Sequence, residues 1–348
     1  MQKIAIFHEL DLGGAKRAVM EFAKKLKEDQ IVDLFYVDEE KDNDIDNYLN
    51  NSYFYKFNCK TWKGNNWKIK LYKDTIELIK LYSLHKKIAL DIESKKYDYI
   101  LVHPSKFTQA PFLLRFINNE CIYYCQEPLR MVYDPFLSDI SGIKFPKKIH
   151  EFINRKIRKW IDSKNFKSAS IVLANSKYSK KFIEKSYGRR AHVCYLGVDT
   201  NFFKPINIDK SVDILFIGNK EKGYDLLIES LKLFKIKPRV YTIFRTENTK
   251  ISDKELVEVY SKSKVLVALN QNEPFGLIPL EAMACGTPVI AIGEGGYNES
   301  IVNNKTGFLI KRNSEELFDK ISKIINNEEL RKKMSEHSRA HILNNCTW

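Results

Sequence analysis

Short apolar runs alternate with amphipathic stretches along this chain. Residues 3–7 read as a buried strand. Gly13 and Gly14 follow, then a helix that puts Ala18, Val19, Phe22, Ala23 and Leu26 on one face. Residues 97–102, 121–125 and 170–174 read as three more strands. The first of these ends at His103-Pro104, the second at Gln126-Glu127-Pro128, and the third precedes Ser176, a residue suited to capping a helix. Periodicity is lost over residues 201–210, where Pro205 interrupts. A fresh unit then opens with strand 212–217, Gly218, and a helix carrying Tyr224, Leu227, Ile228, Leu231 and Phe234 at helical spacing. Residues 264–269 and 288–292 are further strands, and from Ser314 the chain is charged and helical. Strands alternating with helices are the mark of parallel α/β architecture. Two sections that each begin strand, glycine loop, helix predict two Rossmann-like domains facing a central cleft, residues 1–205 and 206–348. Ligands are expected beyond the carboxyl ends of the strands.

Composition fits this picture. The 348 residues, 44% of them hydrophobic, suffice for two cores. There is no apolar run long enough to predict a membrane-spanning helix. No apolar leader precedes Lys3, which points to a cytoplasmic chain. The six cysteines (Cys59, Cys121, Cys125, Cys194, Cys285 and Cys346) are scattered without a C-x-x-C pair and read as reduced thiols, not a disulfide or zinc framework. The net charge of +14 suits nucleic acid, anionic membranes or phosphorylated ligands, but Lys, Ile and Asn are abundant throughout, so charge alone selects no partner. No nucleic-acid-binding module is found. The absence of G-x-G-x-x-G after a strand and of G-x-x-x-x-G-K-[ST] disfavours a dinucleotide cofactor and a P-loop.

The sharpest chemistry lies between residues 269 and 288. A strand end is followed by a polar turn with Glu273, then Pro274-Phe275-Gly276 and a brief helix that Gly286 is placed to end before Thr287-Pro288. Gly276 lets backbone approach a ligand, and the helix start offers free N–H groups to an anion. Glu281 lies about one turn into that helix. Vicinal hydroxyls of a sugar or ribose donate well to carboxylates, and the amides between can hold phosphates. A surface turn residue and a helix-dipole partner would account for the two glutamates equally well on chemistry alone.

The wider stretch, E-P-F-G-L-I-P-L-E-A-M-A-C-G-T-P-V-I-A followed by G-G-Y-N-E-S-I-V-N-N-K-T-G-F-L-I, resembles the donor-binding region of retaining glycosyltransferases of family 4, which have the GT-B fold. The resemblance implies that Glu273 contacts the transferred sugar, that Glu281 holds the ribose, and that Phe275, Gly276 and Leu277 lie near sugar and diphosphate. It implies an N-terminal acceptor-binding domain and a C-terminal donor-binding domain. Gly13-Gly14 is similar to the family's first glycine loop. Gly218, Asn219 and Lys222-Gly223 are similar to its second, where the lysine neutralises diphosphate. Ala174-Asn175-Ser176, Leu196-Gly197-Val198-Asp199 and Phe203 resemble the end of its first domain. Residues 124–130, Y-C-Q-E-P-L-R, resemble a segment of mannosyltransferase-like members, which would put Glu127 and Arg130 opposite the donor. His103 matches a position often near the acceptor.

This sequence departs from the family at several places. Asn219 stands where the family usually has Arg, so one phosphate cation is either missing or supplied elsewhere, by Arg130 or Arg245. Lys16 replaces the usual Glu, and Gln126 stands where a histidine is frequent. Residues 237–255 form a short base-binding region, and the sequence stops at Trp348 where family members continue into a crossover helix, so either it is truncated or its closure differs.

The implied function is transfer of a hexosyl group from a nucleotide diphosphate sugar, GDP-mannose or a UDP-sugar, to a glycan or lipid-linked acceptor in cell-surface polysaccharide synthesis. Glu273, His103 and Lys222 would be the catalytic residues. No metal or organic cofactor is implied, and Asp44-Ile45-Asp46, though spaced like a D-x-D site, reads as loop. Residues 53–88 and 147–167 mix lysines with aromatics. Such segments either pack their aromatics inward or lie on an anionic membrane, here the inner face of the cell membrane. The rival functions are a nucleotide-sugar epimerase-like enzyme of the same fold, which needs acid/base groups that seven histidines hardly supply, and a basic nucleic-acid-binding protein.

Overall fold

The computed structural model describes residues 1–11, 13–41, 49–58, 72–135, 137–218, 223–244 and 251–348. Asp44, Asp46, Cys59, Asn219, Lys222 and Arg245 lie outside the described residues. The chain divides into two compact units. Unit 1 is Met1–Asn175 with Ser179–Cys194, and unit 2 is Ser176–Tyr178 with Tyr195–Trp348. The change of unit falls ahead of the Pro205 break. Residues 195–203 have no helical or strand period, yet Leu196, Val198 and Phe203 are buried. Val198 N–H bonds Cys346 O, and the Arg339 guanidinium bonds the carbonyls of Thr200 and Phe203. That aperiodic segment therefore belongs to unit 2.

Unit 1 is built on a seven-stranded sheet: β1 Lys3–Glu9, β2 Ile31–Asp38, β3 Asn51–Lys56, β4 Tyr99–Ser105, β5 Cys121–Tyr124, β6 Ile171–Ala174 and β7 His192–Val193. Each paired neighbour is parallel, in the order β3-β2-β1-β4-β5-β6-β7. Its helices include α1 Gly14–Leu26, α2 Leu78–Ser94, α3 Arg130–Tyr133, α4 Lys147–Lys167 and α5 Lys177–Tyr187, whose first two residues, Lys177 and Tyr178, belong to unit 2. Unit 2 carries a five-stranded parallel sheet of β8 Val212–Gly218, β9 Val240–Phe244, β10 Ser263–Ala268, β11 Val289–Ile292 and β12 Gly307–Ile310, in the order β12-β11-β10-β8-β9. Around it lie α6 Tyr224–Leu231, α7 Asp253–Lys262, α8 Leu277–Ala284, α9 Tyr297–Ser300, α10 Ser314–Asn326 and α11 Glu328–Asn345.

The central strands β1 and β8 are buried almost throughout, as a parallel sheet covered on both faces requires. Separate apolar cores fill the units. Phe7, Phe35, Ile100, Val102 and Phe166 anchor the first, and Ile214, Phe216, Val267, Ile290 and Leu317 the second. No described helix is long and apolar enough to cross a membrane.

Topology fixes where each unit can hold a ligand. Where neighbouring strands send their connections in opposite directions, a parallel sheet opens a crevice at its carboxyl edge. In unit 1 the order reverses between β1 and β4, and in unit 2 between β8 and β10.

Candidate functional site

The switch point of unit 2 brings Gly218, Gly223 and the Glu273–Glu281 segment to one edge. β8 ends at Gly218, and a Cβ there would sit 3.3 Å from the Phe216 ring and 3.7 Å from the Asn270 Oδ1. Gly223, at φ 88°, packs against Leu269, where a Cβ would meet the Leu269 Cβ and carbonyl oxygen at 2.6 Å. Both described ends of the second glycine loop thus abut the end of β10, directly before the Glu273 turn.

That turn is held from two sides. Asn270 Nδ2 donates to Glu273 Oε2 at 2.8 Å. Gly296 N–H donates to the Glu273 carbonyl at 2.8 Å. The Gly295-Gly296 pair lies so close that Cβ atoms there would stand 2.4 Å from the Glu273 carbonyl oxygen and 2.5 Å from that of Pro274. Gly276, at φ 94°, turns the chain into α8, and a Cβ on it would strike the Tyr297 ring at 2.6 Å. Tyr297 is buried. Burial first, and the charge of Glu273 second, raise its phenol well above the ordinary range. Gly296→Ala is expected to cost roughly 1–3 kcal/mol through overpacking. The thermal midpoint of unit 2 reads this, with Gly293→Ala, where a Cβ comes no closer than 3.6 Å to any neighbour, as the unchanged control.

Helix α8 is buried along most of its length, Glu281 included. Tyr260 Oη donates to Glu281 Oε2 at 2.9 Å, so the carboxylate stands oriented inside unit 2. Pro279 has no N–H, which leaves Leu277 and Ile278 to supply amides to an anion at the helix start. Phe275 is buried and approaches the Tyr195 ring with centroids 6.0 Å apart. Arg312, which the sequence reading did not single out, stands beside this edge. Its guanidinium lies 3.5 Å from Glu294 and donates to Leu269 O.

Unit 1 places Gly13 and Gly14 after β1, at its own switch point, while Glu127 and Arg130 follow β5. Gly13, the N-cap of α1, has φ 157° and ψ −175°, a conformation essentially reserved for glycine, with nothing within 4 Å of the missing Cβ. Gly14 begins α1. His103 is not at a strand end as expected. β4 runs on to Ser105 because β1 keeps pairing with it through Glu9, past a bulge. His103 is fully buried against Phe22 and Tyr124, and neither ring nitrogen has a hydrogen-bond partner among the described residues. Burial pushes it down to about 3, so it is neutral at physiological pH.

His8, one strand away and unforeseen, is also buried. Burial, then Lys16, His103 and Lys106, hold it well below the usual histidine range. On the opposite face Glu9 receives the His85 Nε2–H at 2.6 Å, while His85 Nδ1 accepts the Leu113 N–H. Arg130 is engaged within unit 1: it reaches Asp134 at 3.0 Å and Glu127 at 3.9 Å.

Residues 248–341 match the family model described as Glycosyl transferases group 1. An uncharacterized glycosyltransferase of Methanocaldococcus jannaschii is 30% identical over 188 residues, 48% of this chain, and the chain spans about half (53%) of that relative's length. Among solved structures, sucrose-phosphate synthase from Thermosynechococcus elongatus superposes with a TM-score of 0.71 at 16% identity, covering 100% of this chain and 96% of that one. The Anabaena protein HepE, crystallised with UDP and glucose, gives 0.67 at 18% identity over 100% and 96% of the two chains. At such identity the likeness is one of fold. The fold is the GT-B fold, with the group 1 match falling on the unit that carries Glu273 and Glu281.

Proposed function

We propose that this chain is a retaining hexosyltransferase. It would move a hexosyl group from a nucleotide diphosphate sugar, GDP-mannose or a UDP-sugar, to a glycan or lipid-linked acceptor in cell-surface polysaccharide synthesis. The observation that carries the reading is the Glu273–Glu281 segment at the unit 2 switch point: one half-buried carboxylate in a turn, a left-handed glycine, a helix start, and a second, oriented carboxylate. The group 1 match over residues 248–341 supports it. That HepE was crystallised with UDP and glucose supports a nucleotide-sugar donor.

In the proposed reaction the bond from the anomeric carbon to the diphosphate oxygen breaks, and a bond to the acceptor hydroxyl oxygen forms on the same face. The acceptor proton passes to the leaving phosphate, so no separate protein base is needed. Glu273 orients the sugar, Glu281 takes the ribose hydroxyls, and the amides from Phe275 to Leu277 with Gly218, Asn219, Lys222 and Arg245 receive the diphosphate. Gly13, Gly14, His103, Glu127 and Arg130 keep the donor and acceptor roles that the family resemblance implies. A neutral His103 suits accepting or donating one hydrogen bond, not carrying charge. The reaction as proposed uses no metal and no cofactor, and it belongs in the cytoplasm at the inner face of the membrane.

Lys222→Ala tests the phosphate role. Nucleoside diphosphate should bind about tenfold more weakly in calorimetry, the loss of one charge-assisted contact. Unchanged affinity removes Lys222 from the site.

A further inference from the structure

Helix α4 is amphipathic the wrong way round for a helix that simply covers a core. Over its first three turns the inward face is polar. Glu151 and Asn154 are buried. Asn154 and Arg158 both donate to Asp74, and Arg158 also donates to Phe107 O. Arg155 bonds the carbonyls of Met131 and Leu137 at 2.9 and 2.7 Å. The outward face is apolar: Ile149, Phe152, Ile153, Ile157 and Trp160 are each about half exposed or more, Trp160 at 60%. These positions recur at three- and four-residue intervals and form one stripe some 16 Å long at the rise of an α-helix. Apolar groups on a surface helix ordinarily face the core, so this stripe is built for something outside unit 1.

The charges beside the stripe say what that is. The acidic residues of α4 are Glu151 and Asp162, and both are buried. Lys147, Lys148, Lys156, Lys159 and Lys164 are all exposed. Two of them lean on the stripe: Lys156 Nζ lies 4.4 Å from the Phe152 ring centroid and Lys164 Nζ 5.2 Å from that of Trp160. Arg115 also lies near Trp160, 5.5 Å from its ring centroid, and 5.4 Å from that of Phe112. A two-fold contact with a second copy would set this basic rim against itself. An anionic lipid surface instead takes the apolar stripe into its acyl boundary and the lysines at its headgroups.

We infer that α4 is a membrane-docking helix, lying in the plane of an anionic bilayer with Phe152, Ile153, Ile157 and Trp160 inserted. The inference stands on the helix alone and holds whether or not the donor reading does, because the test needs no sugar nucleotide.

The full chain is sedimented with vesicles of phosphatidylglycerol and phosphatidylcholine in equal parts, and with phosphatidylcholine alone. It should pellet with the anionic vesicles and be released by high salt. The combined Phe152→Ser, Ile157→Ser and Trp160→Ser variant should bind about tenfold more weakly with an unchanged thermal midpoint, since those side chains make up the exposed stripe. Lys156→Glu with Lys159→Glu should do the same and decides the matter if the serine variant fails to fold. Wild-type chain left in the supernatant, or variants that pellet like wild type, would overturn the inference. So would a dimer in light scattering that the serine variant dissociates while vesicles remain unbound, which would make the face a self-contact.

Discussion

Glu273→Ala is expected to lower kcat/KM by about 10–150-fold, the range that corresponds to one lost hydrogen bond to a charged group at 1.5–3 kcal/mol. The loss should be kinetic and not a loss of fold. The turn is fixed through its backbone, by the Gly296 N–H on the Glu273 carbonyl, and that bond survives removal of the side chain. Asn270 loses an acceptor, but Glu273 is half-exposed, so water can replace it. The variant should therefore melt within a degree or two of wild type. Glu273→Gln separates charge from shape: it keeps an acceptor oxygen and should lie between the two. A donor that supports wild-type turnover and is used equally well by Glu273→Ala would remove the residue from sugar recognition, and with it the strongest support for hexosyl transfer.

Much of this site could be read from residue order alone, because it depends on local chemistry. Gly276 needs a left-handed φ, Gly286 needs one at the end of α8, and both are glycines for that reason. The central strands announced themselves as continuous apolar runs. The edge and flanking strands did not. β3, N-S-Y-F-Y-K, is only half buried along most of its length, and β9 is a short, partly exposed strand. Neither carries the unbroken apolar run by which a buried parallel strand is known.

What could not be read was long-range pairing. Ser176 was expected to serve α5 locally. Its hydroxyl donates to Pro274 O, and the first amides of α5, those of Lys177 and Tyr178, go to the carboxylate of Glu299, more than a hundred residues away. The Glu9–His85 pair joins residues 76 positions apart. The inversion of α4 was equally hidden. Its hydrophobic period is plain in the sequence, but which face turns inward depends on Asp74, on the carbonyls of Phe107, Met131 and Leu137, and on the polar side chains they receive.

Asp162 should make the stability of unit 1 fall as pH rises from about 4 to about 7. Its carboxyl is fully buried, and burial pushes it from 3.8 up to about 7, against the hydrogen bonds from Tyr187 Oη and the Ala110 N–H that favour its charged form. Because the folded-state value lies above the unfolded one, the folded chain holds the proton longer. The contribution is fully present below pH 4 and is lost by the time pH has risen past 7. Three units correspond to an upper figure on the order of 4 kcal/mol. Asp162→Asn removes the titration while keeping the geometry: its oxygen accepts from Ala110 and its amide donates to Tyr187 Oη. The variant should lose the pH slope contributed by this group, although other titrating groups still act. It should gain relative to wild type between pH 5 and 8 by a few kcal/mol at most, since the Tyr187 proton must find a new acceptor. Denaturation of the full chain across that pH range, followed at the unit 1 transition, measures the difference. Parallel profiles for the two proteins would mean that Asp162 is already ionised inside the fold at pH 5, stabilised by its two donors more strongly than burial opposes it.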